Sequence, residues 1–221
     1  MKSRWNLMVF VISLGLSGVG LAAQGQAPAA PAAPAAPPAP SKCEFLDGST
    51  ARYKVQEQLV GINFPNDAVG STQAITGTVM LGADGSLAPQ SKIAVDLKTL
   101  KSDQSMRDGY IQRNVLQTDK FPMLEFVPKR AVGLPSPFPN GQRPQPIGVQ
   151  LVGDMMLNGV TSEVTWNVAG TASGDSIAGR ATTSFPFSQF KLNQPKVPIL
   201  LSTNDKIDLE IEFRCKRTPT T

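Results

Sequence analysis

The sequence predicts an all-β fold of eight antiparallel strands, with one short helix between the third and fourth. The first observation is the segment Ile147–Ala169, where apolar and polar residues alternate on both sides of Asn158-Gly159, a dipeptide typical of a type I′ hairpin turn. The second is that six further segments alternate in the same way, so each has an apolar face that neighbouring strands must bury. The third is the position of Cys43 and Cys215, near the two ends of this region.

The first 23 residues have the composition of a secretory signal peptide. Lys2 and Arg4 precede the apolar run Leu7–Leu21, and Ala22-Ala23 supplies small residues for cleavage. The alternative is an uncleaved membrane anchor. Cleavage predicts a periplasmic or secreted protein.

A Pro/Ala-rich linker is predicted over residues 24–42. Within it, Gln24–Pro40 alternates proline with alanine, which favours extended polyproline-II structure over a packed element. The linker either holds the barrel domain, residues 43–221, at a distance from the cell envelope, or it has no role.

The first four strands share a simple pattern of one apolar face each. They are predicted at Ala51–Leu59, Ala74–Leu81, Ser91–Leu97 and Met123–Val127. Their apolar rows are Ala51, Tyr53, Val55 and Leu59; Ile75, Gly77, Val79 and Leu81; Ile93, Val95 and Leu97; and Leu124 and Phe126. A turn at Ala83-Asp84-Gly85 follows the second strand.

A short helix is predicted within Asp103–Thr118, covering an end or a side of the sheet. Its apolar stripe is Met106, Tyr110, Ile111 and Val115, and Ser102 or Asp103 is the predicted N-cap.

The last four strands begin with the two arms of the Ile147–Ala169 hairpin. The seventh is predicted at Ser176–Phe187 and the eighth at Lys206–Lys216, where Ile207, Leu209, Ile211, Phe213 and Cys215 alternate with charged residues. Ala131–Pro146 is predicted to be an exposed loop, and Ser188–Thr203 is irregular although it contains the apolar run Val197–Leu201.

Eight such strands can close into a barrel or stack as a sandwich. The cysteines favour closure, because a Cys43–Cys215 disulfide would join the first strand to the eighth. In an oxidising compartment the pair should be bonded, which in the chain-entropy model stabilises the fold by at most about 5 kcal/mol. The alternative is two free thiols.

Composition excludes several classes of function. The 221-residue chain has no histidine, which rules out a Ser-His-Asp triad, a histidine base and histidine metal ligands. It also has no metal-ligand motif, no phosphate-binding glycine loop and no nucleophile elbow. Without Lys2 and Arg4, 19 basic residues face 17 acidic ones and form no basic stripe, so nucleic acid is not an expected partner.

Several motifs together resemble the YceI-like family of secreted, lipocalin-like barrels associated with polyisoprenoid binding. The resemblance extends over Tyr53–Phe213 and is strongest in the hairpin. The motifs are, in order, Ser91–Asp96, Arg107-Asp108, Thr118–Phe126, Gly153–Thr161, Phe187–Phe190 and Asp205–Phe213. The chain has Tyr110 and Asn158 where the family often has histidine, which leaves specific polar contacts to a ligand head group in question.

The resemblance implies an eight-stranded antiparallel, lipocalin-like β-barrel whose apolar bore accepts an isoprenoid quinone or a polyprenyl lipid, bound non-covalently and with no other cofactor. The inward rows supply the candidate lipid-binding residues, each of which could instead fill the core. They are Tyr53, Val55, Leu59, Ile75, Val79, Val95, Leu124, Phe126, Leu151, Met155, Trp166, Val168 and Phe185. The small residues Gly77, Gly153, Gly179 and Ala181 either leave room for a ligand or mark bends.

Four polar residues are candidates for a role beside the bore. Arg107, Asp108 and Tyr110 could bind a head group, or the first two could cap the helix and attach it to the barrel. Glu57 lies on an inward row and could meet a head group or pair with Arg52 or Lys54.

The sequence therefore predicts a lipid carrier and not an enzyme. The alternative is a structural or interaction protein of the cell envelope with a side-chain-filled barrel, in contact with the envelope through its linker. A hydrolase or isomerase acting on a bound lipid would need converging carboxylates, and the inward rows offer only Glu57.

Overall fold

The computed structural model describes residues 40–82, 86–135 and 138–220, which form one antiparallel sheet. Its strands are β1 (Ser41–Phe45), β2 (Thr50–Leu59), β3 (Asn66–Thr72), β4 (Ile75–Leu81), β5 (Lys92–Asp96), β6 (Lys101–Ser102), β7 (Met123–Val132), β8 (Gln145–Leu157), β9 (Val160–Ser173), β10 (Ser176–Phe185) and β11 (Leu200–Pro219). The helix α1 (Ser105–Tyr110) continues into a π-helical turn, Ile111–Val115. Single 3₁₀ turns lie at Leu97–Thr99 and Phe187–Phe190.

The predicted signal peptide, nearly all of the predicted linker and the Ala83-Asp84-Gly85 turn lie outside the described residues.

The sheet closes into a barrel of eight strands. Pairing runs from β1 through β4, β5, β7, β8, β9, β10 and β11 and returns to β1. At this closing pair Ser41 lies opposite Pro219 and Phe45 opposite Cys215. The Cys43–Cys215 disulfide joins the same two strands, with 5.5 Å between the Cα atoms. The predicted barrel and the predicted disulfide are both confirmed.

At three of the eight positions around the barrel, two shorter strands lie end to end in place of one long strand. The sequence pattern did not predict these interruptions. The pairs are β1 with β2, β3 with β4, and β5 with β6. Both β1 and β2, for example, pair with the same edge of β11. Where one strand of a pair ends and the next begins, polar side chains form hydrogen bonds with backbone groups. Ser49 Oγ donates to the Leu46 carbonyl at 2.8 Å and accepts from the Arg214 amide at 3.2 Å, and Thr72 Oγ1 accepts from the Ala74 amide at 3.0 Å.

Strand boundaries differ from the predictions where local chemistry interrupts the alternation. β7 continues past Pro128 to Val132 because the register shifts between Pro128 and Arg130, where the missing proline N–H does not break the ladder. β11 begins at Leu200, inside the segment predicted to be irregular, and it too has register shifts. β1 begins at Ser41, two residues before the predicted start of the domain.

The predicted hairpin is confirmed as β8 and β9, with Leu157 opposite Val160. Asn158 and Gly159 both have positive φ, 52° and 72°, as a type I′ turn requires.

The barrel interior has two different halves. In the half nearest the disulfide, aromatic side chains and Met155 fill the space: the Phe126 and Trp166 ring centroids are 6.1 Å apart, those of Phe45 and Phe213 are 5.6 Å apart, and Met155 is fully buried. We call this the packed half. The other half, beneath α1, contains a cavity.

Candidate functional site

A cavity of about 520 Å³ lies between β2, the first half of β11, helix α1 and the segment that follows the Phe187–Phe190 turn. Most of its wall is apolar. The apolar strand residues that line it are Tyr53, Val55, Leu59, Ala68, Leu124, Leu157, Phe185, Leu200, Ile207 and Leu209. Side chains outside the barrel strands complete the wall, among them Leu97, Leu100, Met106, Ile111, Val115, Leu116, Leu192, Val197 and Ile199.

Helix α1 and the π-helical turn after it are held over the cavity by hydrogen bonds to β6 and to the segment between β5 and β6. The Asp108 carboxylate accepts from the Ser102 amide at 2.8 Å and from the Ser102 hydroxyl at 2.6 Å. Farther along, Gln112 Nε2 donates to the carbonyls of Lys98 and Leu100. The predicted caps are wrong: the N-cap is Gln104, because Ser102 pairs with Gly70 in the sheet and its hydroxyl bonds to Asp108.

One ion pair lies in the cavity wall. Arg107 Nη2 is 3.1 Å from Glu57 Oε1, and Nη1 is 2.5 Å from Asp103 Oδ1. The Arg107 and Glu57 side chains are only 15% and 12% exposed, so water screens their interaction weakly. The partners predicted for Glu57, Arg52 and Lys54, bind other carboxylates: Arg52 contacts Glu210 and Glu212, and Lys54 contacts Asp67.

Tyr53 lies between this ion pair and the apolar wall. Burial raises the pKa of Tyr53 to about 12; the positive charge of Arg107 acts in the opposite direction, and the carboxylates of Asp108, Glu57 and Asp103 add to the rise. Its ring lies over Gly70, its cross-strand partner on β3. A Cβ atom at Gly70 would overlap that ring, so glycine makes this position of Tyr53 possible.

Two further hydroxyl groups lie along the cavity wall. The Tyr110 hydroxyl accepts from the Lys196 amide at 3.2 Å, which connects the helix to the segment that precedes β11. Thr203 Oγ1 is buried and has no hydrogen-bond partner among the described residues.

The structure places five of the thirteen predicted lipid-binding residues around the cavity. Tyr53, Val55, Leu59, Leu124 and Phe185 line the cavity. The remaining eight lie away from it and belong to the core or pack against it: Ile75, Val79, Val95, Phe126, Leu151, Met155, Trp166 and Val168. Of the head-group candidates, Arg107 and Tyr110 line the cavity, whereas Asp108 bonds to Ser102.

The small residues do not open the cavity, contrary to one of their two interpretations. Gly77, Gly153, Gly179 and Ala181 are all absent from its lining. A Cβ atom at Gly153 would overlap the Val127 carbonyl, so this glycine instead permits close approach of β7 and β8.

Sequence reasoning missed the cavity residues that lie outside regular alternation. The pattern predicts Met106 and Ile111 only as part of the apolar stripe of the helix, and Val197, Ile199 and Leu200 only as part of an irregular segment, yet all five line the cavity. The apolar run Val197–Leu201 was the available signal, since exposed irregular segments are seldom so apolar.

Within the described part of the chain, no group of three or more His, Cys, Asp or Glu side chains is placed to hold a metal ion. The same residues include no helix with the length and hydropathy needed to cross a bilayer.

Comparisons with known proteins agree with this architecture. A family model described as YceI-like domain matches residues 46–215. A search of curated proteins finds no significant match.

Similar folds occur among solved structures. A polyisoprenoid binding domain from Saccharophagus degradans, implicated in plant cell wall breakdown, has a TM-score of 0.59 at 10% identity and covers 80% of this chain and 98% of its own. Burkholderia cenocepacia BcnA has a TM-score of 0.54 at 14% identity, with 75% and 95% covered. The Campylobacter jejuni YCEI protein has a TM-score of 0.53 at 15% identity, with 74% and 91% covered.

Proposed function

The chain belongs to the YceI-like domain family, and on that premise we propose that it is an exported protein that holds the chain of an isoprenoid quinone or polyprenyl lipid beneath α1. The observation that carries the proposal is the cavity of about 520 Å³ with a mostly apolar wall. Apolar pockets of this size suit small lipids, and each methylene group buried there contributes about 0.8 kcal/mol. The Saccharophagus degradans domain described as polyisoprenoid binding has a similar fold, which supports this class of ligand.

We propose that the ligand's polar end is uncharged. The Arg107 guanidinium already contacts two carboxylates, those of Glu57 and Asp103. A phosphate inside the cavity would meet the Glu57 carboxylate and would have to displace it from Arg107. An alcohol or a quinone carbonyl faces no such repulsion, and the hydroxyl of Thr203 offers it a hydrogen-bonding group.

Binding, and not catalysis, is the proposed activity. Glu57 and Arg107 neutralise each other, and the polar groups that line the cavity do not form a nucleophile–base pair. Export is proposed from the signal-like N-terminus, and the disulfide supports it because disulfides persist in oxidising compartments. N-terminal sequencing of the protein recovered from a periplasmic or culture-medium fraction tests export, since cleavage would leave a chain that begins near residue 24.

The cavity is tested with the purified protein and geranylgeraniol as the probe, detected as a one-to-one complex by native mass spectrometry. Val55→Phe places a ring in the cavity and is expected to abolish uptake with little loss of stability. The matched control, Ile93→Phe, overfills the packed half, where Ile93 lies opposite Phe126; this costs about 1–3 kcal/mol and is expected to leave uptake by the folded fraction intact.

A second measurement locates the chain directly. A diazirine analogue of geranylgeraniol should crosslink to β2, α1 or the start of β11. Crosslinks confined to the packed half, or a wild-type protein that never takes up a prenyl chain, would contradict the proposal and favour an envelope structural or interaction protein.

A further inference from the structure

Six exposed apolar side chains form what we call the apolar lip, at the open side of the cavity. They are Val60, Ile62, Phe64, Met106, Ile199 and Leu201. Met106 and Ile199 line the cavity, yet they are 85% and 61% exposed, so the cavity opens where they lie. The loop that carries Phe64, itself 77% exposed, is attached to this side because the Val60 amide donates to the Ile199 carbonyl at 2.9 Å.

Such a group of apolar side chains is unusual on a protein surface. Single exposed apolar residues are common, whereas a contiguous group marks an interaction with another protein or with a membrane. The lip is also continuous with an apolar cavity, so a partner seated on the lip covers the cavity mouth.

The charges around the lip favour an anionic surface as that partner. Arg113 and Lys196 are exposed beside the cavity, and neither forms an ion pair among the described residues. The nearby carboxylates are engaged: Glu57 and Asp103 contact Arg107, and Asp108 accepts from Ser102. The segment from residue 188 to residue 204 contains two lysines and no acidic residue.

We propose that the apolar lip docks on a lipid bilayer containing anionic lipids, with the cavity mouth facing the membrane. Apolar side chains beside basic ones are the composition of interfacial membrane-binding surfaces. The proposal adds a partner to the proposed function and rests on it for its purpose: a prenyl chain passes between bilayer and cavity without exposure to water, which the hydrophobic effect strongly opposes.

The test uses a local probe on the full chain, because the apolar N-terminal segment could attach the protein to vesicles by itself. Phe64→Cys is labelled with an environment-sensitive nitrobenzoxadiazole dye and mixed with phosphatidylcholine vesicles with and without phosphatidylglycerol. The matched control is Val132→Cys, an exposed apolar position at the end of β7 far from the cavity. We expect a blue shift for the label at position 64, larger with phosphatidylglycerol, and none at position 132.

Unlabelled variants, produced with export so that the apolar N-terminal segment is removed, test the same surface by vesicle flotation. Phe64→Ser/Leu201→Ser is expected to weaken partitioning at least about tenfold, and Val132→Ser by less than about twofold. Lys196→Gln should reduce the preference for phosphatidylglycerol. Phe64 and Leu201 do not line the cavity, so the double variant should still bind geranylgeraniol delivered from detergent.

Three results would overturn the docking proposal. One is a label at position 64 that remains in water in the presence of vesicles, and another is equal partitioning of the lip variant and the wild type. The third is a dimer in sedimentation that dissociates on Phe64→Ser, since a second copy would then cover the lip. Uptake from detergent without vesicle docking rejects the docking alone, whereas docking without any uptake rejects the proposed function.

Discussion

Tyr53 is part of the apolar wall and also a neighbour of the charged groups. Its ring replaces the missing side chain of Gly70, and its hydroxyl lies in the field of Arg107 and three carboxylates. Because burial is the largest cause of its raised pKa, the ionisation of Tyr53 reports how dry this part of the cavity is.

We predict that Tyr53 ionises near pH 12. Tyr53 and Tyr110 are the two tyrosines of the chain, so Tyr110→Phe leaves Tyr53 as the only phenol in an absorbance titration at 295 nm. Because the pKa is raised in the folded state, the fold is stabilised by the neutral form of Tyr53. That stabilisation is complete below about pH 10 and is lost as the pH rises from about 10 to about 12, a change of roughly 3 kcal/mol at most. The free energy of unfolding of Tyr53→Phe, measured in urea, should decrease less over that pH interval than that of the wild type. If Tyr53 titrates near pH 10 instead, water reaches this part of the cavity.

Replacing Glu57 should change which head group the cavity accepts. Glu57→Gln keeps the side chain's size but removes one of the two carboxylates that contact Arg107, so Arg107 becomes available to an anion. The ratio of affinities for geranylgeranyl phosphate and geranylgeraniol should rise several-fold, measured by competition. Glu210→Gln, which removes an exterior carboxylate bonded to Arg52, is the control and should leave the ratio unchanged.

At the scale of elements, strands were predictable where one face is buried and the other wet. The β8–β9 hairpin and the apolar row of β11 from Ile207 to Cys215 follow that rule, and each was identified. β3 was missed because Asn66–Thr72 consists mainly of small and polar residues, and its pairing with β2 follows from the fold and not from its own pattern.

The Asp108 carboxylate makes the two hydrogen bonds that attach helix α1 to β6. Asp108→Ala removes two hydrogen bonds to Ser102, which we expect to destabilise the helix locally by about 1–3 kcal/mol, since bonds to charged groups are among the stronger ones. Hydrogen exchange should accelerate in residues 105–115, and a bound prenyl chain should dissociate faster. Asp119→Ala, an exposed position beyond the helix, is the control. Unchanged exchange in α1 would show that the remaining contacts, among them the Arg107–Glu57 ion pair, hold the helix without Asp108.

The disulfide should protect the pair of strands that closes the barrel. Cys43→Ser/Cys215→Ser is expected to lower the free energy of unfolding by about 2–5 kcal/mol, because the bond connects residues 172 positions apart. Amides of β1 should lose exchange protection more than those of β8 and β9, which pair over their whole length. A uniform loss across the barrel would contradict this local role.

At the scale of the whole molecule, the sequence predicted the barrel but not how its interior is used. Alternation identifies the inward face of each strand, and both Val55 and Ile93 do face inward. It does not tell how far along the barrel axis a side chain lies, nor which opposite side chains fill the space there. Ile93, opposite Phe126, therefore belongs to the packed half and Val55 to the cavity, a difference set by helix α1 and by the aromatic residues around Trp166.

Because side chains fill the packed half of the barrel, the cavity limits the length of prenyl chain that the protein can enclose. If one chain carbon occupies about the 30 Å³ of a water molecule in the liquid, 520 Å³ holds roughly 17 carbons, between three and four isoprene units. Affinity in the series geraniol, farnesol, geranylgeraniol should therefore increase about tenfold or more per added unit, because each unit buries further methylene groups. Beyond geranylgeraniol the affinity should reach a plateau, since additional units extend through the mouth past Met106 and Ile199.

The plateau separates this arrangement from a bore open along the whole barrel. Leu124→Ala enlarges the cavity next to the packed half and should move the plateau towards longer chains, whereas Ile93→Ala, a truncation in the packed half, should destabilise the protein by about 2–5 kcal/mol without moving it. Isothermal titration across the alcohol series measures both. An affinity that continues to increase well beyond four units would mean that the aromatic side chains around Trp166 move aside, and that the ligand reaches the disulfide end of the barrel.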